Sequence, residues 1–212
     1  MSELVLTYFP LRGRGEPIRL LLADNGASWK ENVVQFSDWS EKSPVKEKAV
    51  FGQMPKFSDG ELDLYQSNTI LRYLGRKFGV AGSNDREIAL VDMVNDGVED
   101  LRQKFFRFVF FELKTEKGKE NYEKDLPKHL KCFERILSNN SNGTKFTVGD
   151  KISYADYNLL DILHCHQHFF PDCLSSFPLL TAYKERIESR SKLSEYLNSE
   201  QRSSRPMFPN RG

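Results

Sequence analysis

The chain has 212 residues, 31 of them basic and 30 acidic, for a formal net charge of +1. That length suffices for one large or two modest domains, and the near-neutral balance gives no electrostatic footprint for nucleic acid or an anionic membrane surface. No apolar run approaches the roughly 20 residues of a membrane span. The opening MSELVLTYFPLRGRGEP lacks a signal-peptide layout, and Cys132, Cys165 and Cys173 form an odd set without metal-ligand spacing, so a reduced, cytoplasmic protein is expected.

Glu3–Tyr8 reads as a strand, broken by Phe9-Pro10-Leu11. A helix is predicted over Arg12–Asn25, with Pro17 in its first turn, Ile18, Leu21 and Leu22 inward and Gly26 as its stop. Ser28–Gln35 reads as a second strand and Asp38–Val50 as a weak, charged helical segment interrupted by Pro44. Met54-Pro55 then forms a turn and a candidate cis bond before the extended run Lys56–Ser58. Asp59-Gly60 signals a hairpin into Glu61–Tyr65. Ser67 fits the start of a helix reaching about Phe78, where unpaired N–H groups and the dipole favour an anion.

The order is thus β-α-β-α-β-β-α, followed by a small Gly-containing linker, residues 79–84. After it the pattern is helical. Leu90, Val94, Val98, Leu101, Phe105 and Phe108 step by three or four along one face, and the aromatic run 105–111 belongs to that helix rather than to a strand. Glu112–Lys131, with alternating charge and Gly118, reads as a solvated helix–loop–helix. Ser153 and Asp156 match a capping box for an apolar helix, with Ile152 and Tyr157 as its staple. Pro178 opens another helix, with Leu179, Tyr183 and Ile187 inward, and the last dozen residues look irregular. The expectation is an α/β thioredoxin-like N-terminal domain with a mixed four-stranded sheet (1–78) and an all-α domain (85–212).

Thioredoxin-like dithiol chemistry needs a low-pKa Cys-x-x-Cys, and no cysteine precedes Cys132. A reacting thiol must therefore arrive with a ligand. Tyr8, at the end of the first strand and followed by Arg12 and Arg14, is the candidate donor to it. Lowering a cysteinyl thiol by about two units takes roughly 2.7 kcal/mol. One hydrogen bond to a charged acceptor contributes about 1.5–3 kcal/mol. A strand-end tyrosine bonded to a backbone carbonyl is an equally common fate of such a side chain. His164 and His168, four apart on a helix, lack further ligands in the pattern, so no metal is expected.

Tyr8-Phe9-Pro10-Leu11-Arg12-Gly13-Arg14, Gly52-Gln53-Met54-Pro55-Lys56-Phe57 and Leu64-Tyr65-Gln66-Ser67-Asn68-Thr69-Ile70 resemble the glutathione-site motifs of cytosolic glutathione transferases. Segments 89–102 and 152–161 are most similar to the pi class. The resemblance implies conjugation of glutathione, a co-substrate rather than a cofactor, to hydrophobic electrophiles. It makes Tyr8 the thiolate-stabilising hydroxyl and Arg14, Trp39, Lys46, Gln53, Gln66 and Ser67 ligands of glutathione's charged ends. It gives Met54, before a cis Pro55, the backbone pairing to the cysteinyl unit. A homodimer is implied too, with Asp100 acting across the interface, Phe51 as the inserted key, and Met93 and Gly97 at the contact. Phe9, Leu11, Phe106 and Phe110 would line the electrophile site.

The chain departs from the family pattern in several places. It is one residue longer between Trp39 and Gln53 and contains Pro44, which bears on Lys46; Ala49 stands where the family has a reactive cysteine; Phe110 replaces the pocket tyrosine; and Phe51 stands where tyrosine is common. Two rival readings share the fold: a ligandin-like carrier without turnover, and a protein-interaction module.

Overall fold

The computed structural model describes residues 2–209 and divides into two compact units, Met1–Phe78 with Ser189–Gly212, and Gly79–Glu188. In the first unit the chain runs β1 (Leu4–Tyr8), α1 (Glu16–Asp24), β2 (Lys30–Val33), α2 (Pro44–Glu47), β3 (Lys56–Asp59), β4 (Leu62–Tyr65) and α3 (Ser67–Lys77). The sheet order is β2-β1-β3-β4. β1 lies parallel to β2, with Tyr8 opposite Val33, and antiparallel to β3, with Thr7 opposite Lys56. β3 pairs antiparallel with β4, Asp59 facing Leu62. This is the mixed four-stranded sheet expected, its one parallel pair joined by the α1 crossover.

Alternation along β1 buries Leu4, Leu6 and Tyr8, and Phe57 is buried in β3. Ile18, Leu21 and Leu22 of α1 and Ile70, Leu71 and Leu74 of α3 are fully or almost fully buried, the i, i+3, i+4 stripe of a helix laid on a sheet. The hairpin loop is Gly60-Glu61, one residue later than expected. Asp59 stays in the strand because its carboxylate accepts from Tyr73 Oη and Lys77 Nζ, both at 2.6 Å, on α3. Gly60 supplies the positive φ, 61°, at the first loop position. Pro44 does not interrupt a helix: it opens α2, and Ser43 Oγ accepts from the Val45 amide at 3.2 Å.

The second unit holds α4 (Asp85–Arg107), α5 (Glu116–Asn139), α6 (Tyr154–Phe169) and α7 (Pro178–Glu188). α4 ends in a π-helical turn, Phe108–Glu112, so the aromatic run is helical throughout. The expected helix–loop–helix is instead the single helix α5, which carries Pro127 in its interior. Its seam of Tyr122, Leu126, Leu130, Phe133 and Leu137 is buried on both sides of the proline. Burial of that seam offsets the roughly 3 kcal/mol that an interior proline costs. α6 is the central helix, buried almost all round and begun by the reciprocal Ser153–Asp156 capping box. In α7 it is Leu180 rather than Leu179 that turns inward, together with Tyr183 and Ile187.

After α7 come α8 (Ser191–Leu197) and the short α9 (Glu200–Ser203). The helical domain was expected to reach residue 212, but this tail groups with the first unit. Tyr196 Oη and Arg202 Nε both donate to the buried Glu16 carboxylate, at 3.2 and 2.9 Å, and Arg190 Nε donates to Asp24 at 2.6 Å.

Candidate ligand site on the thioredoxin-like unit

β1 ends on Tyr8, and the chain turns immediately through a 3-10 segment, Gly13–Gly15, into α1. The turn passes so close to the phenol that Cβ atoms cannot be accommodated. One at Gly13 would lie 2.7 Å from Tyr8 Oη, and one at Gly15 would lie 2.8 Å from Tyr8 Cδ1. Gly13 also holds φ at +42°, a region that favours glycine. The backbone N–H of Arg14 donates to Tyr8 Oη at 2.9 Å. In this contact the Tyr8 hydroxyl oxygen accepts, and its own proton is not used. An accepted hydrogen bond polarises the O–H and strengthens it as a donor.

The turn is held from behind by Arg19, a fully buried side chain of α1. Its Nη1 donates to the carbonyls of Leu11 and Arg12, each at 3.2 Å, while Nε and Nη2 pair with Glu31 at 2.8 and 3.2 Å. Nothing in the local pattern distinguished this arginine from a solvated helix charge, because Glu31 sits on the neighbouring strand.

The second part of the site is the β4–α3 junction. Gln66 has φ 68° and ψ 112°, a conformation that costs a non-glycine residue of order 1–3 kcal/mol. Such strain aims its exposed carboxamide outward, where Nε2 donates to Gln53 Oε1 at 3.1 Å. Ser67 opens α3, buried at 8 % exposure, and its Oγ accepts from Arg14 Nη1 at 3.3 Å. Arg14 with Ser67 and Gln53 with Gln66 thus form two hydrogen-bonded pairs that meet where Gln66 and Ser67 adjoin in the chain, the first pair reaching Tyr8 through the Arg14 amide, beside a helix N-terminus whose first N–H groups and dipole favour a carboxylate. The Met54-Pro55 bond is cis.

Other expected residues stand less directly. Trp39 is half-buried and meets Phe9 edge-on at 5.4 Å, while Phe9 stacks on Phe36 at 4.9 Å. Lys46, on α2, pairs with Glu41. Its Cε lies 3.9 Å from where a Cβ on Gly52 would be. Leu11 is buried at 5 % exposure.

On the helical unit, Asp100 is exposed on α4, Met93 is 58 % exposed, and a Cβ on Gly97 would meet nothing within 4 Å. Phe51, on the first unit, is 62 % exposed. Phe106 and Phe110 are half-buried, their rings edge to face at 5.9 Å. His164 bonds Glu188 of α7 at 2.5 Å, an acidic partner that helix spacing alone did not reveal, and His168 packs edge-on against Phe169. The helical unit also has a surface cavity of about 420 Å³, lined in part by Leu126, Pro127, Phe170, Cys173 and Phe177 but by none of the expected site residues.

The first unit is thus a thioredoxin-like fold without a cysteine of its own, and it sets a phenol that accepts a backbone N–H close to a helix N-terminus. Residues 4–76 match the N-terminal domain of the glutathione S-transferases and residues 99–200 match their C-terminal domain. The chain is 62 % identical to glutathione S-transferase P 1 of Xenopus laevis, over 99 % of this chain and 98 % of the relative. It is 53 % identical to glutathione S-transferase P of Bos taurus, over 99 % of both chains. The solved structure of the Onchocerca volvulus pi-class glutathione S-transferase superposes with a TM-score of 0.92 at 40 % identity, covering 99 % of each chain. The chain belongs to the glutathione S-transferase family, in its pi class, and is an enzyme of that kind.

Proposed function

We propose that the chain conjugates the thiolate of reduced glutathione to hydrophobic electrophiles, with the Tyr8 hydroxyl donating to the sulfur. The thiol proton leaves to solvent, and the sulfur lone pair forms a bond to an electrophilic carbon. In substitution a halide departs with its bonding electrons. In addition the pair displaced from an epoxide C–O or enone C=C bond ends on oxygen and takes up a proton. Arg14, Trp39, Lys46, Gln53, Gln66 and Ser67 hold the charged ends of the tripeptide, and the Met54 backbone pairs with its cysteinyl unit. Phe9 and Leu11, and Phe106 and Phe110, contribute apolar contacts to the electrophile.

In this reading the protein works in the cytoplasm as a homodimer, with Asp100 of the partner subunit reaching the γ-glutamyl amine and Phe51 inserting across the interface near Met93 and Gly97. Exposed Phe51 and Met93 support it, since apolar side chains of that size cost least when covered.

The observation that carries the catalytic reading is the acceptance by Tyr8 Oη of the Arg14 amide, on the unit that also carries the Gln66-Ser67 junction. A glutathione-dependent rate with a halonitrobenzene tests it. Tight binding of the acceptor with no turnover, in protein that binds glutathione, would establish the carrier instead.

A further inference from the structure

The π-helical turn Phe108–Glu112 closes with the Leu113 amide on the Phe108 carbonyl at 2.8 Å. It alters which residues face inward. An uninterrupted α-helix would carry the buried stripe Val98, Leu101, Phe105, Phe108 on to residue 111 or 112. The extra residue in the π turn leaves Phe111 77 % exposed, and Phe110, within the turn, meets Phe106, one turn before it, edge to face at 5.9 Å. Turns of this kind are a recurrent device at functional sites.

What holds the turn is aromatic and polar at once. Phe108 is completely buried and stacks on Tyr122 of α5 at 4.3 Å, with Phe169 and Phe170 each at 5.6 Å. Tyr122 is bonded in turn to His166 of α6, Oη to Nε2 at 2.9 Å, and His166 Nδ1 lies 2.6 Å from the Ile162 carbonyl. A carbonyl only accepts, so Nδ1 carries the proton; the neutral ring then presents Nε2 as acceptor and Tyr122 donates to it. His166 also packs on Phe105, at 4.7 Å between ring centres, three residues before the turn begins. α5 and α6 therefore grip both sides of the segment from which Phe106 and Phe110 project.

We propose that Tyr122 and His166 are positioning residues for electrophile selectivity, their hydrogen bond seating Phe108 and so fixing the π turn that aims Phe110. This rests on the proposed role of Phe106 and Phe110 in binding the electrophile. A flat aromatic acceptor depends on the direction of that ring pair; a small alkyl iodide does not.

Tyr122→Phe and His166→Gln test the proposal. The ratio of kcat/KM for a halonitrobenzene to that for an alkyl iodide does not depend on the fraction of protein folded. It should fall about threefold to tenfold in each variant, the effect of losing one neutral hydrogen bond, with the KM for glutathione unchanged. Exchange of the Leu113 amide should quicken about tenfold as the turn opens more often. If His166→Gln does not fold, the nearly isosteric Tyr122→Phe carries the test alone. An unchanged ratio in an active Tyr122→Phe enzyme, or an unchanged Leu113 exchange rate, would overturn the proposal. Wild-type protein that conjugates neither acceptor would overturn the proposed function instead, a distinguishable result.

Discussion

The Tyr8 hydroxyl and the Arg14 backbone amide are 2.9 Å apart, with the amide donating and the phenol accepting. The contact is possible because Gly13 and Gly15 present no Cβ to the ring. It draws electron density from the phenol oxygen, which strengthens the O–H as a hydrogen-bond donor, and it adds no charge to the site.

Tyr8→Phe should therefore raise the pKa of the bound glutathione thiol by about 1–2 units, the value of one hydrogen bond to an anion, about 1.5–3 kcal/mol. The kcat/KM at neutral pH should fall about tenfold to a hundredfold while the dissociation constant for glutathione barely changes. Thiolate absorbance titrated against pH in both proteins checks this; coincident titrations would remove Tyr8 from the mechanism.

Phe51→Ser should weaken subunit association and lower activity in parallel, since Asp100 is proposed to act from the partner subunit. Sedimentation at several concentrations, with rates measured on the same samples, is the check. A fully active monomer would show that the site is complete in one chain.

Helical periodicity made most of the architecture legible, and the motifs around Tyr8, Gln53 and Gln66 marked the candidate ligand site. What stayed hidden was set by partners distant in sequence. Asp59 reads as a turn residue until Tyr73 and Lys77 on α3 claim its carboxylate. Arg102 carries no local signal of burial in α4, yet it is buried and pairs with Asp161 at 2.7 Å and the Asn158 side chain at 2.7 Å. The loop expected between Glu112 and Lys131 is absent because the buried seam of α5, invisible in the local charge pattern, carries the helix through Pro127. Trp39 and Lys46 carry no local signal at all and entered only through family resemblance.

Asp156 shows how much a cap can carry. Its carboxylate accepts from the Ser153 amide and hydroxyl at 2.7 and 2.8 Å, the Thr147 amide and hydroxyl at 2.9 and 2.8 Å, and Tyr183 Oη at 2.9 Å. Burial raises its pKa, and the bonds from Thr147 and Ser153 oppose that rise. Asp156→Ala removes the cap and strands buried donors, so the loss should be about 3 kcal/mol rather than the ~1 kcal/mol of an exposed cap. Melting should drop by roughly 6–12 °C, at about 2–4 °C per kcal/mol for a chain of this size. Refolding should slow, and the molecules that do fold should keep their activity. A melting temperature within a degree of wild type would contradict this.

His166 links stability to pH. Burial, with the Arg102 charge as a lesser contribution, holds its pKa down to about 4, against an ordinary value near 6.5. The folded state thus keeps a neutral ring where the unfolded chain binds a proton, and its contribution is complete above pH 6.5 and lost as pH falls towards 4. The window corresponds to about 3 kcal/mol. Denaturant unfolding of wild type and His166→Gln at pH 7 and pH 4.5 should show wild type losing more stability than the variant. Equal losses would mean the ring is not the acid-sensitive group.

Phe110 is proposed to decide which electrophiles the enzyme prefers. Its ring meets Phe106 edge to face at 5.9 Å, one turn along the same helical segment, so the pair forms a continuous apolar wall with no hydroxyl. When an epoxide opens or an enone is attacked, charge gathers on one oxygen, and a phenol at this position would donate to it. Removing one such donor typically costs about 2.7–4 kcal/mol of barrier in an enclosed site, and less in one open to water. Aromatic substitution spreads the charge over ring and nitro group, so the missing hydroxyl matters less there, while two flat rings bind the acceptor well. The enzyme should turn over halonitrobenzenes well and epoxides and enones weakly, and Phe110→Tyr should raise the epoxide rate by tenfold or so, while changing the halonitrobenzene rate by less than about twofold. Comparing kcat/KM for the two substrate types in wild type and variant checks it: an equal change for both, or none for the epoxide, would show that the Phe110 side chain does not set the preference.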